Sequence, residues 1–260
     1  MKNYFWVCVL SCSASIFAQA AFAAIEGKAS VATGFDSTSG NYGSSNTTNI
    51  LTIPVIGKYE MDSWLFKLTV PYLQVTTVGG VIPGIGMGGM KKAGAVSATT
   101  QSGLGDVVMA TTYYAIDGGK DTTGLDLTAK VKLPTADKNA GFGTGEIDYA
   151  IQADVYQNMD KVTVTASLGR KFLGSSAALP LSDIFYGSVG GSYRVTDKMS
   201  AGVNLDAAQA ASVAGSSQLE LTGSISRKID KTKKIQAYLL KGFTDGSPDI
   251  GYGVLFTLAL

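Results

Sequence analysis

The chain has 260 residues, of which 16% are charged, with 21 basic residues against 20 acidic ones and no histidine. The missing histidine excludes a Ser-His-Asp hydrolase, a His-based metal centre and the commonest general base. The charge content is well below the roughly 25% of ordinary soluble domains, and the balanced sign lacks the basic footprint of a nucleic-acid binder.

The chain opens MKNYFWVCVLSCSASIFAQAAFAA. Lys2 supplies a positive n-region, Tyr4 to Phe17 an apolar h-region and Ala21-Phe22-Ala23 a cleavage site, with Ala18-Gln19-Ala20 as a second choice. Residues 1–23 therefore read as a secretory signal peptide and 24–260 as the mature chain. Val9-Leu10-Ser11-Cys12 also loosely matches a lipobox, which would leave a very short signal. Both cysteines, Cys8 and Cys12, fall in this segment, so the exported chain is expected to stand without disulfides. Removing Lys2 leaves 20 basic residues against 20 acidic ones.

Beyond the signal, period-2 alternation predicts twelve strands, near 25–36, 48–61, 64–77, 103–116, 124–134, 146–157, 162–173, 184–196, 199–209, 217–229, 234–243 and 249–260. Most have about the ten residues that a tilted strand needs to cross a bilayer. Short polar turns such as Asp62-Ser63, Thr196-Asp197-Lys198 and Asp230 to Lys233 alternate with longer loops such as 37–47, 78–102, 134–145 and 174–183. No later stretch has the 18 consecutive apolar residues of a membrane helix. A low-charge exported chain of this kind spans a membrane only as a closed barrel. The expected fold is all-β, a transmembrane up-and-down antiparallel barrel of about twelve strands with both termini periplasmic.

Several details along the chain fit that expectation. Tyr59, Trp64, Tyr113 and Tyr193 fall near the short-turn ends of their strands, and Phe35, Tyr72, Phe172, Phe185 and Tyr252 toward the long-loop ends, as two interfacial girdles would. In 125–133 the leucines alternate with Asp126, Lys130 and Lys132, and in 147–155 Ile147, Tyr149 and Ile151 alternate with Asp148 and Asp154. With apolar residues turned to lipid, the candidate lumen lining is Lys67, Asp106, Asp126, Lys130, Lys132, Glu146, Asp148, Asp154, Lys171, Arg194, Asp206, Glu220 and Lys228. Counting across the 134–145 loop sets Lys130 opposite Asp148 and Lys132 opposite Glu146 as attracting pairs. The Asp62-Ser63 turn sets Pro54 opposite Pro71, with breaks expected on the outer sides of both strands. The Gly-rich loop 78–102 offers Ile82, Ile85, Met87 and Met90 as a mouth loop that either floats outside or folds inward. The last strand carries an unbroken apolar face from Ile250 to Leu260 and resembles the signal read by outer-membrane assembly machinery, which usually ends in Phe or Trp.

Ser102-Gly-Leu-Gly-Asp106, Lys130-Val-Lys-Leu-Pro-Thr135, Gly143-Thr-Gly-Glu-Ile-Asp-Tyr149 and Val70-Pro-Tyr72 together resemble the outer-membrane barrel family named after the meta-cleavage pathway of phenol degradation. The resemblance covers roughly 60–260. It implies a bacterial outer-membrane protein of Gram-negative cells that passes small organic compounds, aromatic ones among them.

Two functions follow as expectations. The first is a channel or transporter for small organic, aromatic or hydrophobic solutes through a narrow charged lumen. The second is a non-transporting structural or adhesive surface barrel whose loops bind an external partner. Neither requires catalysis, a cofactor, a metal or nucleic acid. Both need the lipid bilayer and the assembly machinery as partners.

Overall fold

The computed structural model describes residues 29–78, 98–119, 121–138, 140–177, 179–213 and 215–260. The signal segment and the predicted mouth residues Ile82, Ile85, Met87 and Met90 lie outside them. The strands are β1 (Ala29–Gly40), β2 (Thr48–Met61), β3 (Trp64–Val78), β4 (Ala98–Leu104), β5 (Val107–Ile116), β6 (Thr123–Leu133), β7 (Asp148–Met159), β8 (Val162–Phe172), β9 (Ile184–Thr196), β10 (Met199–Ala208), β11 (Gln218–Lys228), β12 (Lys233–Gly242) and β13 (Ile250–Ala259). Every pairing is antiparallel, and β1 pairs with both β2 and β13, so the sheet closes on itself. β4 and β5 occupy one position in the wall, both against β3. The result is a closed barrel of twelve staves.

The split of the fourth stave has a local cause. Thr69 pairs with Val108, but Tyr72 pairs with Leu104, so one extra residue is accommodated around Gly105 and Asp106. This is a β-bulge, and it reverses which residues point inward on either side of it. It sits against Pro71, which has no N–H to give the ladder. The Gly105 N–H still donates to the Pro71 carbonyl at 2.8 Å. Pro71 is paired with Pro54 as the turn count required. On the other side of Pro54, β1 pairs with β2 at Thr33–Val55 and again at Asp36–Thr52 in the same register, with the ladder interrupted between. One proline thus faces a bulge and the other a gap without a slip.

Alternation divides the wall into two faces. The outward one is apolar: Ile53, Val55, Leu68, Leu127, Ile151, Leu168, Val189, Ile225 and Leu239 are all exposed. Exposed aromatics form two bands on it. Trp64 packs 4.8 Å from Tyr113 toward the short turns, and Phe35 lies edge-on to Tyr252 at 6.3 Å toward the long loops. The tight turns Asp62-Ser63 and Asp160-Lys161 put aspartates at φ 51° and 48°, the left-handed region that two-residue hairpins demand. Asp230 ties its turn by accepting the N–H groups of Thr232 (2.9 Å) and Lys233 (2.8 Å). The Leu260 N–H donates to the Ala29 carbonyl, so the first and last strands end together at the short-turn rim.

Inside, three tyrosines fill the space over glycines of the neighbouring strand. Tyr156, Tyr186 and Tyr238 pair with Gly124, Gly169 and Gly253, where an added Cβ would fall 2.1, 2.4 and 2.6 Å from the ring. Tyr238 reaches across β13 and donates its hydroxyl to Asp36 of β1, clasping the three strands at the closing seam.

Candidate functional site: the charged interior

Following partners from strand to strand shows that the inward charges are ordered. One line of paired residues runs Lys58, Lys67, Ala110, Lys130, Ala150, Lys171. It begins near the short-turn rim on β2 and ends near the long-loop rim on β8. Because barrel strands tilt, such a line climbs the wall as a spiral. A second line runs Tyr114, Asp126, Asp154, Ser167, Ser188, Asp206, Glu220. It climbs in parallel from the start of β6 to the start of β11. Between the two lies a line without charge through Thr112, Thr128, Gln152, Gly169 and Tyr186.

Like charges therefore stand directly opposite each other: Lys58 and Lys67, Asp126 and Asp154, Asp206 and Glu220. Directly opposed like charges oppose sheet formation. Gln152 connects the lines. Its Oε1 accepts from Lys130 Nζ (2.7 Å) and from the Tyr186 hydroxyl (3.0 Å), while its Nε2 donates to Asp154 Oδ1 (2.5 Å).

Lys132, two residues along β6 from Lys130, is in different company. It faces Asp148, not Glu146, and Lys130 faces Ala150, so the register counted across the loop was off by two. A long loop does not fix register the way a two-residue turn does, and β7 begins only at Asp148. Glu146 stays in the loop, half-buried. Lys132 is 1% exposed and uses its three N–H donors on Asp106 Oδ2 (3.0 Å), Asp148 Oδ2 (2.8 Å) and Thr144 Oγ1 (3.0 Å). Each carboxylate spends its other oxygen on a loop: Asp106 accepts the Ala136 N–H at 3.0 Å, and Asp148 accepts the Gly174 N–H at 2.8 Å.

This cluster fastens the 134–147 loop inside the barrel. Phe142 and Ala136 are buried with Tyr42, Ile50, Leu73 and Val75. A side chain at Gly143 would meet Asp106 Oδ1 at 2.7 Å, which accounts for glycine there. Thr135 seals the bulge, with its hydroxyl accepting from the Val107 N–H (2.9 Å) and donating to the Gly105 carbonyl (3.1 Å). The sequence leaves loop 78–102 either outside or folded inward, whereas the inward loop among the described residues is 134–147, which the alternation does not mark. Its signal was a lone Phe142 among glycines beside a buried-charge strand.

The remaining candidates lie toward the short-turn end. The half-buried Arg194 donates to the Asp160 carbonyl at 3.1 Å, and Lys228 stands opposite Lys234.

A family model described as "Putative MetA-pathway of phenol degradation" matches residues 22–259. The chain belongs to this family. Among solved structures, an outer-membrane channel from Pseudomonas putida F1 is similar at a TM-score of 0.68 and 14% identity, over 90% of this chain and 96% of that one. The KdgM porin is similar at 0.54 and 11%, over 89% and 99%. A deletion mutant of TodX, described as a monoaromatic hydrocarbon channel, is similar at 0.50 and 10%, over 90% and 91%. No curated protein matches the chain. At these identities the likeness is one of fold, and the fold is that of outer-membrane barrels.

Proposed function

We propose that the protein is an outer-membrane channel for small organic solutes, oriented with its short turns and both termini in the periplasm. The observation that carries this reading is the pair of charged lines climbing from rim to rim inside a closed apolar wall. A barrel needing only stability gains nothing from opposing Lys58 to Lys67 or Asp206 to Glu220. A water-filled path gains a wall that holds solutes at many weak sites. The structural neighbours named as channels and a porin support the same reading, and residues 1–23 fit it as an export signal.

The surface-barrel alternative draws on one observation, the inward loop pinned by Lys132. A planar bilayer decides between them. Purified protein added to one chamber is expected to give discrete conductance steps, and a silent bilayer at confirmed insertion would refute the channel. Orientation has its own check. A Cys at Asp160 should stay unlabelled by an impermeant thiol reagent on intact cells, whereas one at the fully exposed Val213, on the opposite rim, should react.

A further inference from the structure

The charges on the outward face of the wall are all of one sign. Every carboxylate on the described strands alternates to the inner face, whereas Arg170, Lys241, Arg227 and Lys233 turn outward and are exposed. Arg227 and Lys233 stand at the short-turn rim. Arg170 and Lys241 stand near the long-loop rim, level with its aromatic band: Arg170 pairs with Ile151 and Phe185, and Lys241 with Leu221 and Ile250. The Arg170 guanidinium lies 5.1 Å from the Phe172 ring centroid and 5.4 Å from that of Phe185, and one of its nitrogens is 3.1 Å from Asp183 Oδ2. The other oxygen of Asp183 accepts the Leu173 N–H at 3.3 Å. Lys241 has no ion-pair or hydrogen-bond partner among the described residues, and its neighbours along and across the strands are the exposed Leu221, Leu239, Phe243 and Ile250.

A charge on the lipid face of a barrel is costly in proportion to its depth, and near the headgroups it finds lipid phosphates. The sign decides the partner. A wall with outward cations and no outward carboxylate on its strands attracts anionic groups. Arg170 is also shaped for one. Two rings and Asp183 hold its guanidinium in one pose at 44% side-chain exposure, and its further N–H donors form the fork that phosphate oxygens accept. Asp183 precedes β9 on the loop side and acts as a positioning residue. We infer that Arg170 and Lys241 are two lipid-phosphate sites on the outer wall, each holding the headgroup phosphate of one lipid. The acyl chains then lie along exposed apolar residues of the wall, Leu168 and Val189 beneath Arg170, and Leu239 and Tyr252 beneath Lys241. With the orientation proposed above, both sites face the outer leaflet, and the occupant is its phosphorylated glycolipid. The sites require a barrel in a membrane but no conduction, so they go beyond the channel reading and rest only on its orientation.

The test uses the full detergent-solubilised barrel, with diphosphorylated lipid A and its dephosphorylated form as probes, read by native mass spectrometry. The phosphorylated lipid is expected to bind more tightly by about tenfold or more, the worth of a charge-assisted hydrogen bond. Arg170→Gln and Lys241→Gln should each lower the number of lipids held, and the double variant should lose the preference for phosphate. Arg170→Lys and Lys241→Arg should keep most of it, and Lys161→Gln in a short turn should leave it intact. Equal binding of the two lipids, or a preference indifferent to the double Gln variant, would overturn the sites. Displacement of the lipid by millimolar inorganic phosphate would assign the two cations to free phosphate and overturn the lipid. If the double Gln variant fails to form a heat-resistant barrel, the wild-type comparison of the two lipids and the charge-keeping pair still decide the matter. Orientation is read separately, from thiol labelling at Asp160 and Val213. Reversed labelling refutes the outer-leaflet occupant, while the expected labelling with no preference for phosphate refutes only the sites.

Discussion

Lys130 and Lys132 sit two residues apart on one strand, both facing inward and both buried, yet their surroundings differ in kind. Lys132 lies within salt-bridge distance of two carboxylates and spends each donor on a named acceptor. Lys130 meets a neutral amide, an aromatic ring and a line of further lysines. The interior around Lys132 is thus organised for neutralisation, with the cation answered by two carboxylates and each carboxylate tied to a loop. The spiral below it keeps charge of one sign together. The first arrangement closes and braces. The second sets like charges opposite one another, an arrangement that opposes sheet formation. Binary patterning alone treats the two lysines as equivalent, and the difference is set by which residues the neighbouring strands bring opposite.

The largest expected effect tests the brace. Lys132→Ala strands two buried carboxylates and frees the 134–147 loop, and losing one partner of a buried ion pair costs about 3–5 kcal/mol. Lys130→Ala removes a cation from a like-charged line and is expected to cost clearly less. The comparison is read from the heat-modifiability midpoint of the two variants in the same detergent. Equal losses would erase the distinction between the two regions.

A smaller effect with opposite signs in two measurements tests the spiral. Lys58→Glu turns the Lys58–Lys67 opposition into an attractive pair, which is worth roughly 0.2–1 kcal/mol across a sheet, and leaves Lys67 its attraction to Asp154. The variant should therefore melt slightly later than the native barrel. In a planar bilayer with a salt gradient its reversal potential should move toward cation preference, and Asp154→Lys should move it toward anions. A barrel stabilised by Lys58→Glu but unchanged in selectivity would mean that the line does not face the permeation path.

Much of this was legible in the chain because it follows from a period of two. Alternation in 125–133 and 147–155 told which side each of Asp126, Lys130, Lys132, Asp148 and Asp154 would take. The two-residue Asp62-Ser63 turn fixed partner sums, and so Pro54 met Pro71. The same arithmetic failed across the 134–147 loop, where nothing local sets the count, and it exchanged Glu146 for Asp148 as the partner of Lys132. The fourth strand read as one piece from 103 to 116, because one extra residue at a bulge leaves little mark on a Gly-rich pattern. The two parallel charged lines were invisible for a stronger reason. They run across strands, so they exist only once every register is known.

The smallest effect separates the two prolines at the centre of the β2–β3 pair. Counting from the Met61–Trp64 closure, Pro54 and Pro71 form a non-bonded pair, so a residue with an N–H at either place would aim it at the outer neighbour. Beside Pro54, β1 and β2 keep one register on both sides of the interruption. Pro54→Val would add a donor facing β1 at Gly34 without moving anything else, and a single hydrogen bond contributes about 0.5–1.5 kcal/mol. Beside Pro71, the wall is shifted by the bulge at Gly105 and Asp106, and Thr135 already bonds to both sides of it. Pro71→Val therefore gains no aligned acceptor and is expected to leave stability unchanged or slightly lowered. Hydrogen exchange gives the sharper readout. The new amide at position 54 should be protected nearly as well as its strand neighbours Val55 and Ile56, and the one at position 71 should exchange faster. Equal protection at the two sites would show that the bulge tolerates a continuous ladder, and that Asp106 needs some other reason to turn inward toward Lys132.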